Sequence, residues 1–356
     1  MPMSDDSPRE LCVLRLSALG DVCHALPVVR TLQDAWPGAR FTWIIGKLEH
    51  RLLGHLPDID FVVFDKKAGR GAYRRLHSSM TGRRYDALLH MQLAMRASLA
   101  SALVPARRRI GFDRARAREL QWLFTNESIA PRRREHVLDS LFGFAEALGV
   151  RARSMRWDIP LPEDALAYAS RVIPNDRPTL VVSPCSSHAL RNWPAEGYAA
   201  VADHAAARHG LGVLLCGGPT ALEADYGARI ESLMRAPCAN LIGKDTLPQL
   251  LATLARATVL LAPDSGPAHM ATTVGTPVIG LYAATNPARS GPYYSRQWCV
   301  DRYEQAARRF RGRPPEELPW ATKIEEPGVM DLISPADVIE RLDALMAAGA
   351  PRTPAG

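Results

Sequence analysis

Leu261-Ala262-Pro263-Asp264-Ser265-Gly266-Pro267-Ala268-His269-Met270 continues and then breaks an apolar run, Thr258 to Leu261. The run reads as a buried strand that ends at Asp264-Ser265-Gly266 and re-enters a helix through Pro267, whose fixed φ suits the first helical position. A strand that passes straight into a helix leaves backbone N–H groups and the positive end of a helix dipole at the strand's carboxyl edge, where a diphosphate can bind. Asp-Ser-Gly is equally ordinary turn and cap chemistry, so the segment predicts either a phosphate cradle or a plain helix start.

Working outward, the same strand-then-helix unit repeats. Apolar runs suited to buried parallel strands occur at Leu11 to Leu16, Phe41 to Ile45, Phe61 to Phe64, Ala87 to Met91 and Arg109 to Phe112, separated by helical stretches such as Val28 to Trp36 and Ala94 to Leu103. After the proline-rich passages Pro160-Leu-Pro162 and Pro174-Asn-Asp-Arg-Pro178 the pattern restarts at Leu180-Val-Val-Ser, Val213-Leu-Leu-Cys, Asn240-Leu-Ile, Val259-Leu-Leu-Ala and Val278-Ile-Gly-Leu-Tyr. Such alternation predicts an α/β chain of two doubly wound, Rossmann-like domains joined near residues 155–178. The boundaries expected are 1–165, 166–334 and a closing helix and tail over 335–356, the helix running from Pro335 to Met346. Ligands of such sheets sit beyond the carboxyl ends of the strands, so motifs at those ends carry function.

Composition narrows the classes. A chain of 356 residues suits two domains with ample apolar content for two cores. Its six cysteines are dispersed and never form Cys-x-x-Cys, which argues against zinc and disulfide frameworks and fits a reducing cytosol. The polar start Met1-Pro-Met-Ser-Asp-Asp-Ser-Pro-Arg-Glu10 is not a secretory signal, and Ala87 to Val104, broken by His90, Gln92 and Arg96, reads as strand plus helix rather than a membrane span. The formal charge of +7 is unevenly spread. Residues 1–160 hold 26 Lys and Arg against 17 Asp and Glu, whereas residues 161–356 hold 18 against 20. The first half is therefore expected to meet a polyanion or an acidic membrane surface, the alternative being a solvated basic face. A basic nucleic-acid-binding protein would share this charge, but no aromatic-interleaved basic motif or nucleic-acid module accompanies it.

Three further strand-end motifs matter. Arg15-Leu-Ser-Ala-Leu-Gly-Asp-Val-Cys-His-Ala-Leu-Pro27 places Asp21 where a helix begins, as an N-cap or as a base; the Gly-x-Gly-x-x-Gly dinucleotide fingerprint is absent. Ser183-Pro-Cys-Ser-Ser-His-Ala-Leu-Arg-Asn-Trp-Pro194 sets two hydroxyls and a guanidinium before a proline-initiated helix, which suits a phosphate clamp or a solvated loop. Cys216-Gly-Gly-Pro-Thr-Ala-Leu-Glu223 is a strand-to-helix turn whose glycines allow close ligand approach. No Asp-x-Asp pair or histidine cluster suggests a metal.

Taken in order, Gly20-Asp21, Arg191-Asn-Trp-Pro194, Asp264-Ser-Gly-Pro-Ala-His269 and Gly291-Pro292 resemble glycosyltransferase family 9, the bacterial heptosyltransferases, over roughly residues 11–345. Leu16-Ser-Ala-Leu-Gly-Asp-Val-Cys-His-Ala25, Gly111-Phe-Asp-Arg-Ala-Arg-Ala-Arg-Glu119, Gln121-Trp-Leu-Phe-Thr-Asn126, Gln297-Trp-Cys-Val-Asp301 and Thr322-Lys-Ile-Glu325 resemble its OpsX-type heptosyltransferase I branch. The resemblance implies a GT-B fold, two Rossmann-like domains facing a central cleft, with acceptor on the first and nucleotide-sugar on the second. It also implies inverting, metal-independent transfer of L-glycero-D-manno-heptose from ADP-heptose to Kdo of lipid A, with or without a phosphate on the Kdo. Alternatives are a paralogous transfer of the second heptose or another activated sugar. No cofactor is implied. The partners implied are ADP-heptose, Kdo-lipid A and the inner face of the inner membrane, approached peripherally from the cytoplasm, and not nucleic acid.

Residue by residue, the resemblance makes Asp21 the catalytic base. Ser186, Ser187, Arg191, Asp264, Ser265, Gly266 and His269 match the diphosphate segments, although many relatives have Thr and Lys where this chain has Ser and Arg. Glu223 falls near a ribose-binding acid, and Lys244 and Leu247 fall where adenine is lined. Arg96, Arg109, Arg114 and Arg118 are the basic residues expected near acceptor, among a larger set that includes Lys66-Lys67 and Arg132-Arg-Arg134. His90 stands where many relatives carry Asp, and reads as a packed histidine.

Overall fold

The computed structural model describes residues 7–352. The polar start through residue 6 and the last four residues of the tail, both read above, lie outside the described residues. The chain divides between Pro160 and Leu161 into two compact units.

The first unit is built on β1 (Glu10–Leu14), α1 (Leu19–Ala35), β2 (Arg40–Gly46), α2 (Lys47–Leu53), β3 (Asp60–Phe64), α3 (Arg70–Met80), β4 (Tyr85–His90), α4 (Met95–Ser101), β5 (Ala106–Gly111), β6 (Glu127–Ser128) and α5 (Val137–Ala147). Its sheet has the order β3-β2-β1-β4-β5-β6, every pair parallel. The second unit contains α6 (Glu163–Val172), β7 (Thr179–Val182), α7 (Ala195–His209), β8 (Gly212–Leu215), α8 (Ala221–Leu233), β9 (Cys238–Asn240), α9 (Leu247–Arg256), β10 (Val259–Pro263), α10 (Gly266–Thr273), β11 (Val278–Tyr282), α11 (Pro287–Ser290), β12 (Val300–Asp301), α12 (Tyr303–Arg311) and α13 (Pro335–Ala347). Its sheet order is β12-β11-β10-β7-β8-β9, again parallel throughout.

Parallel strands covered by helices on both faces bury side chains on both sides, which is why they read as unbroken apolar runs. Leu11 to Leu14 and Val259 to Ala262 are fully buried. In the second unit Leu180, Val182, Leu261 and Ile279 form one core with Trp193, Tyr198 and the inner face of α13, Val338, Leu342 and Leu345. Within the stretch read as a joint, α6 packs Ala165 and Ala169 on Ala252. Among the described residues, no helix is long and apolar enough to cross a membrane.

Two local expectations need correction. Helix α1 begins at Leu19, two residues before Asp21 and well before the stretch read from Val28, and carries Pro27 inside it. Continuous burial from Val22 to Leu32 outweighs the hydrogen bond that Pro27 removes. β9 ends at Asn240, where Asn240-Leu-Ile was expected to form the strand; Ile242 instead turns under the glycines, against which it would meet a Cβ at Gly217 or Gly227. The edge strands β6 and β12 span two residues each, too short to show any period.

Both sheets reverse direction of winding at one place. In the first unit the switch lies between β1 and β4, in the second between β7 and β10. The loops leaving those strands hold Ser17 to Asp21 in one unit and Ser183 to Asn192 with Asp264-Ser265 in the other, so each unit presents its chemistry at the crevice where doubly wound sheets bind ligands.

Candidate functional site

In the second unit, β10 ends at Pro263 and the chain enters α10 at Gly266, with Ser265 extended as the N-cap and Pro267 in the first turn. The helix therefore starts one residue before the proline expected to open it. No side chain caps this start, and the Ser265 hydroxyl is buried without a hydrogen-bond partner among the described residues. A buried unpaired hydroxyl beside uncapped N–H groups is an open site for an anion's oxygens.

Asp264, just before it, faces inward. Its carboxylate accepts a hydrogen bond from the Ser290 hydroxyl (3.2 Å) and lies 3.7 Å from His269 Nε2. Burial alone would raise this carboxyl; hydrogen bonding and attraction from His269, a hydrogen bond from Thr285 and the Arg191 charge hold it below its ordinary value. Asp264 is thus held as a carboxylate that ties His269 to the loop after β11.

Arg191 ends a 3-10 turn, Ala189–Arg191, in the loop after β7. Its Nε donates to Glu325 Oε1 at 2.7 Å, and a second guanidinium nitrogen bonds the same oxygen. Lys323 stands on the same rim. Partial burial and the Arg191 charge lower its ammonium pKa, while the Glu325 carboxyl, raised by burial, is brought down by Arg191, His188 and Lys323. Arg191 is fixed on Glu325 and Lys323 adds a nearby second charge, so the rim carries more positive charge than one carboxylate neutralises. Ser186 closes its own loop, donating from Oγ to the His188 carbonyl (3.0 Å) and from its N–H to Asn192 Oδ1 (2.8 Å). Ser187 is exposed beside it.

Further along the same strand edge, Glu223 folds back on the β8 turn. Its carboxylate accepts the Gly218 N–H and the Thr220 hydroxyl. A Cβ on Gly217 would stand 2.7 Å from Glu223 Oε2, so this close approach requires glycine there. Lys244 donates from Nζ to the Asn240 carbonyl (2.6 Å), and Leu247 opens α9. Between them Asp245 has one buried oxygen without a partner among the described residues, and burial pushes its carboxyl up to about 7.

In the first unit, Asp21 is the third residue of α1 and Ala18 is the N-cap. The Asp21 carboxylate accepts the Ala18 N–H (2.8 Å) and pairs with Arg15 (2.5 Å), both through Oδ2. Arg15 is buried and also donates to the Met91 carbonyl. Gln92 ties the two switch-point loops by accepting the Leu16 and Ser17 N–H groups (3.1 and 3.2 Å). Asp21 thus closes the first turn from within it, and a buried arginine fixes its orientation.

Beside this turn lies a cavity of about 430 Å³ whose walls include Ser17, Lys47, Glu49, Lys66, Lys67 and Arg96. Glu49 is buried, which raises its carboxyl, with Lys66 and Arg15 opposing. The remaining expected arginines lie elsewhere. Arg109 is spent on three backbone carbonyls, those of Phe124 (2.9 Å), Val104 (2.8 Å) and Ser101 (2.6 Å). Arg114 stacks 3.7 Å over the Trp122 ring, and Arg118 is exposed on the same loop. His90 is fully buried, as expected of a packed histidine.

Sequence reasoning named Arg191, Asp264 and Ser265, which the fold assembles, but did not assign Lys323, Glu325, Thr285, Ser290, Asp245, Lys47 or Glu49. Only Lys323 and Glu325 left a signal, inside Thr322-Lys-Ile-Glu325. Among the described residues, the metal-ligand types that converge are His204, His209 and Asp343. They join α7 to α13, with Asp343 Oδ1 2.7 and 2.6 Å from the two Nε2 atoms.

The family model for glycosyltransferase family 9 (heptosyltransferase) matches residues 73–318. The chain is 42% identical over 345 residues to the lipopolysaccharide core heptosyltransferase OpsX of Haemophilus influenzae, covering 97% of this chain and 99% of that one. Among solved structures it resembles a family 9 glycosyl transferase of Veillonella parvula (TM-score 0.79, 22% identity, 96% and 97% of the two chains). It also resembles the Escherichia coli heptosyltransferase WaaC solved with ADP (0.71, 18%, 94% and 99%) and with ADP-2-deoxy-2-fluoro heptose (0.68, 18%, 94% and 99%). The structural likenesses carry the GT-B fold of two doubly wound parallel sheets, and the sequence matches carry the family. The chain belongs to glycosyltransferase family 9, the heptosyltransferases.

Proposed function

We propose that this enzyme transfers L-glycero-D-manno-heptose from ADP-heptose to a Kdo residue of the lipopolysaccharide inner core, with inversion and without a metal ion. One observation carries the reading. Arg191, Lys323 and the uncapped start of α10, with the unpaired Ser265 hydroxyl, gather at the switch point of the second sheet. That is a diphosphate site made of protein groups. The relative OpsX is named for lipopolysaccharide core heptosyl transfer, and WaaC binds ADP and a fluorinated ADP-heptose.

In the reaction the acceptor hydroxyl oxygen attacks the anomeric carbon from the face opposite ADP. Its proton passes to Asp21, and the bond from that carbon to the diphosphate oxygen breaks with its electron pair going to ADP. Arg15 and the Ala18 N–H occupy Oδ2 of Asp21, so Oδ1 is the oxygen that takes the proton. A positioned base contributes about 10² to 10⁴ in rate. On the leaving side, Arg191, Lys323 and the α10 start neutralise the departing charge; hydrogen bonds to charged groups are worth about 1.5 to 3 kcal/mol each and a favourable helix end up to about 2. Together these do the electrostatic work that a divalent cation does elsewhere. Ser186, Ser187, Gly266 and His269 complete the phosphate contacts, Glu223 takes the ribose hydroxyls, and Lys244 and Leu247 line the base.

The acceptor's carboxylates and phosphates suit the cations of the first unit's cavity, Arg96, Lys66 and Lys67, with Arg114 and Arg118 on the neighbouring loop. Arg109, committed to carbonyls, acts by holding that loop. A lipid-linked acceptor places the enzyme at the cytoplasmic face of the inner membrane.

With ADP-heptose and Kdo-lipid A in EDTA, the product should gain one heptose, linked to Kdo, and comparison of phosphorylated with plain Kdo should show which acceptor is preferred. Transfer lost in chelator and restored by magnesium would contradict the metal-free step, and heptose linked to heptose would contradict the acceptor. Arg191→Ala should weaken ADP binding by about 1.5 to 3 kcal/mol in calorimetry; unchanged affinity would remove Arg191 from the diphosphate site.

A further inference from the structure

The loop between β5 and β6 turns ordinary burial inside out. Gln121 is 0% exposed, while its neighbours Leu120, Trp122 and Leu123 are 50%, 40% and 60% exposed. The buried amide is the anchor. Its Oε1 accepts the Phe112 N–H (3.1 Å), and its Nε2 donates to the His90 and Gln92 carbonyls (2.8 and 3.1 Å). The rest of the loop is tied down as well. Glu119 accepts the Met95 N–H at the start of α4, and Asp113 pairs with Arg116, which also reaches Ser140 Oγ (2.6 Å) and the Ala130 carbonyl (2.7 Å). Leu120 adopts a left-handed backbone, φ 60°, a conformation that branched side chains rarely take.

Three exposed apolar residues thus fall within four consecutive positions. Leu123 lines a shallow hollow with Ala102, and Leu99, 48% exposed, lies one helical turn before Ala102 on the same side of α4. Their surroundings are basic. The Arg114 guanidinium lies over Trp122, and Arg118 is exposed three residues before Gln121. The two acids of the loop, Asp113 and Glu119, are both engaged in the contacts above, so the face shows apolar tips among cations. An anionic bilayer complements both features: apolar side chains enter the headgroup boundary while guanidinium groups stay at the phosphates.

We propose that the turn Leu120-Gln121-Trp122-Leu123, with Leu99 beside it, is a wedge that seats the first unit on an anionic membrane surface. The proposal rests on the reading of a lipid-linked acceptor, but vesicle binding is measured without any acceptor. Sedimentation with vesicles of phosphatidylcholine and phosphatidylglycerol should carry down the wild-type protein, and vesicles of phosphatidylcholine alone should carry much less. Replacing Leu120, Trp122 and Leu123 together by Ser should lower partitioning by about tenfold or more, with the circular dichroism spectrum unchanged because these side chains are exposed. In vesicles with brominated acyl chains, fluorescence quenching should be largely lost in Trp122→Phe while binding persists, which places that ring among the chains.

Binding that responds to salt but not to the triple substitution would overturn the wedge in favour of charge alone, as would absence of vesicle binding. A triple variant that also loses turnover on a soluble, deacylated Kdo acceptor would make the loop part of the acceptor site instead. If heptosyl transfer itself fails with wild-type protein while the wedge still binds vesicles, only the functional reading is lost.

Discussion

His90 shows how one buried side chain sets a pH limit. Its Nδ1 lies 3.1 Å from the Gln121 amide nitrogen, whose two hydrogens serve the His90 and Gln92 carbonyls, so a proton on Nδ1 would face a donor and find no acceptor. Burial, helped by the Arg109 charge, lowers the imidazole to about 4. The unfolded chain takes up that proton near pH 6.5, so between about 6.5 and 4 the unfolded state binds more protons and stability falls as pH falls. The loss amounts to about 3 kcal/mol by pH 4. The ring C–H resonance of His90 should stay at its neutral position down to about pH 5; a midpoint near 6.5 would show that the ring is solvated. Sequence alone identified a packed histidine here, but not Gln121 as its partner, because a glutamine in a basic loop reads as solvated.

At the scale of elements, the strand ends were legible and the reach of the loops was not. Apolar runs marked the long strands, and Asp264-Ser265-Gly266 marked the β10-to-α10 passage, because those signals are local. Glu325 meets Arg191 from more than a hundred residues away, and Lys323 comes with it into the range of the Arg191 charge; no spacing rule joins them. Arg109 carried the expected charge, yet its half-buried position lets it bond three carbonyls rather than a ligand. A similar geometric demand sits at Gly46, which ends β2 against the first switch-point loop. A Cβ there would overlap both the Leu16 carbonyl oxygen and the Glu49 carboxylate. Since the carbonyl belongs to the backbone that leads into Ser17, Gly46→Ala should destabilise the first unit by about 1 to 3 kcal/mol in urea unfolding. A change below about 0.5 kcal/mol would show that the loop yields without consequence.

Over the whole molecule the uneven charge becomes a division of labour. The net positive half contains the cavity lined by Lys66, Lys67 and Arg96, and the other half contains the proposed diphosphate site. Replacing Lys66 and Lys67 together by Ala should raise KM for Kdo-lipid A far more than KM for ADP-heptose. Added salt should reproduce part of that defect, since exposed charges are screened beyond about 10 Å at 0.1 M. Equal changes in both constants would mean that the lysines support the fold. The central claim is that Asp21 performs the chemistry while other residues hold the donor. Its most direct measurement is turnover of Asp21→Asn set beside its calorimetric affinity for ADP. The account predicts a fall in kcat of about 10² to 10⁴ with affinity for ADP within about twofold of wild type. Near wild-type kcat across the pH range would reduce Asp21 to a helix-closing residue and contradict the mechanism.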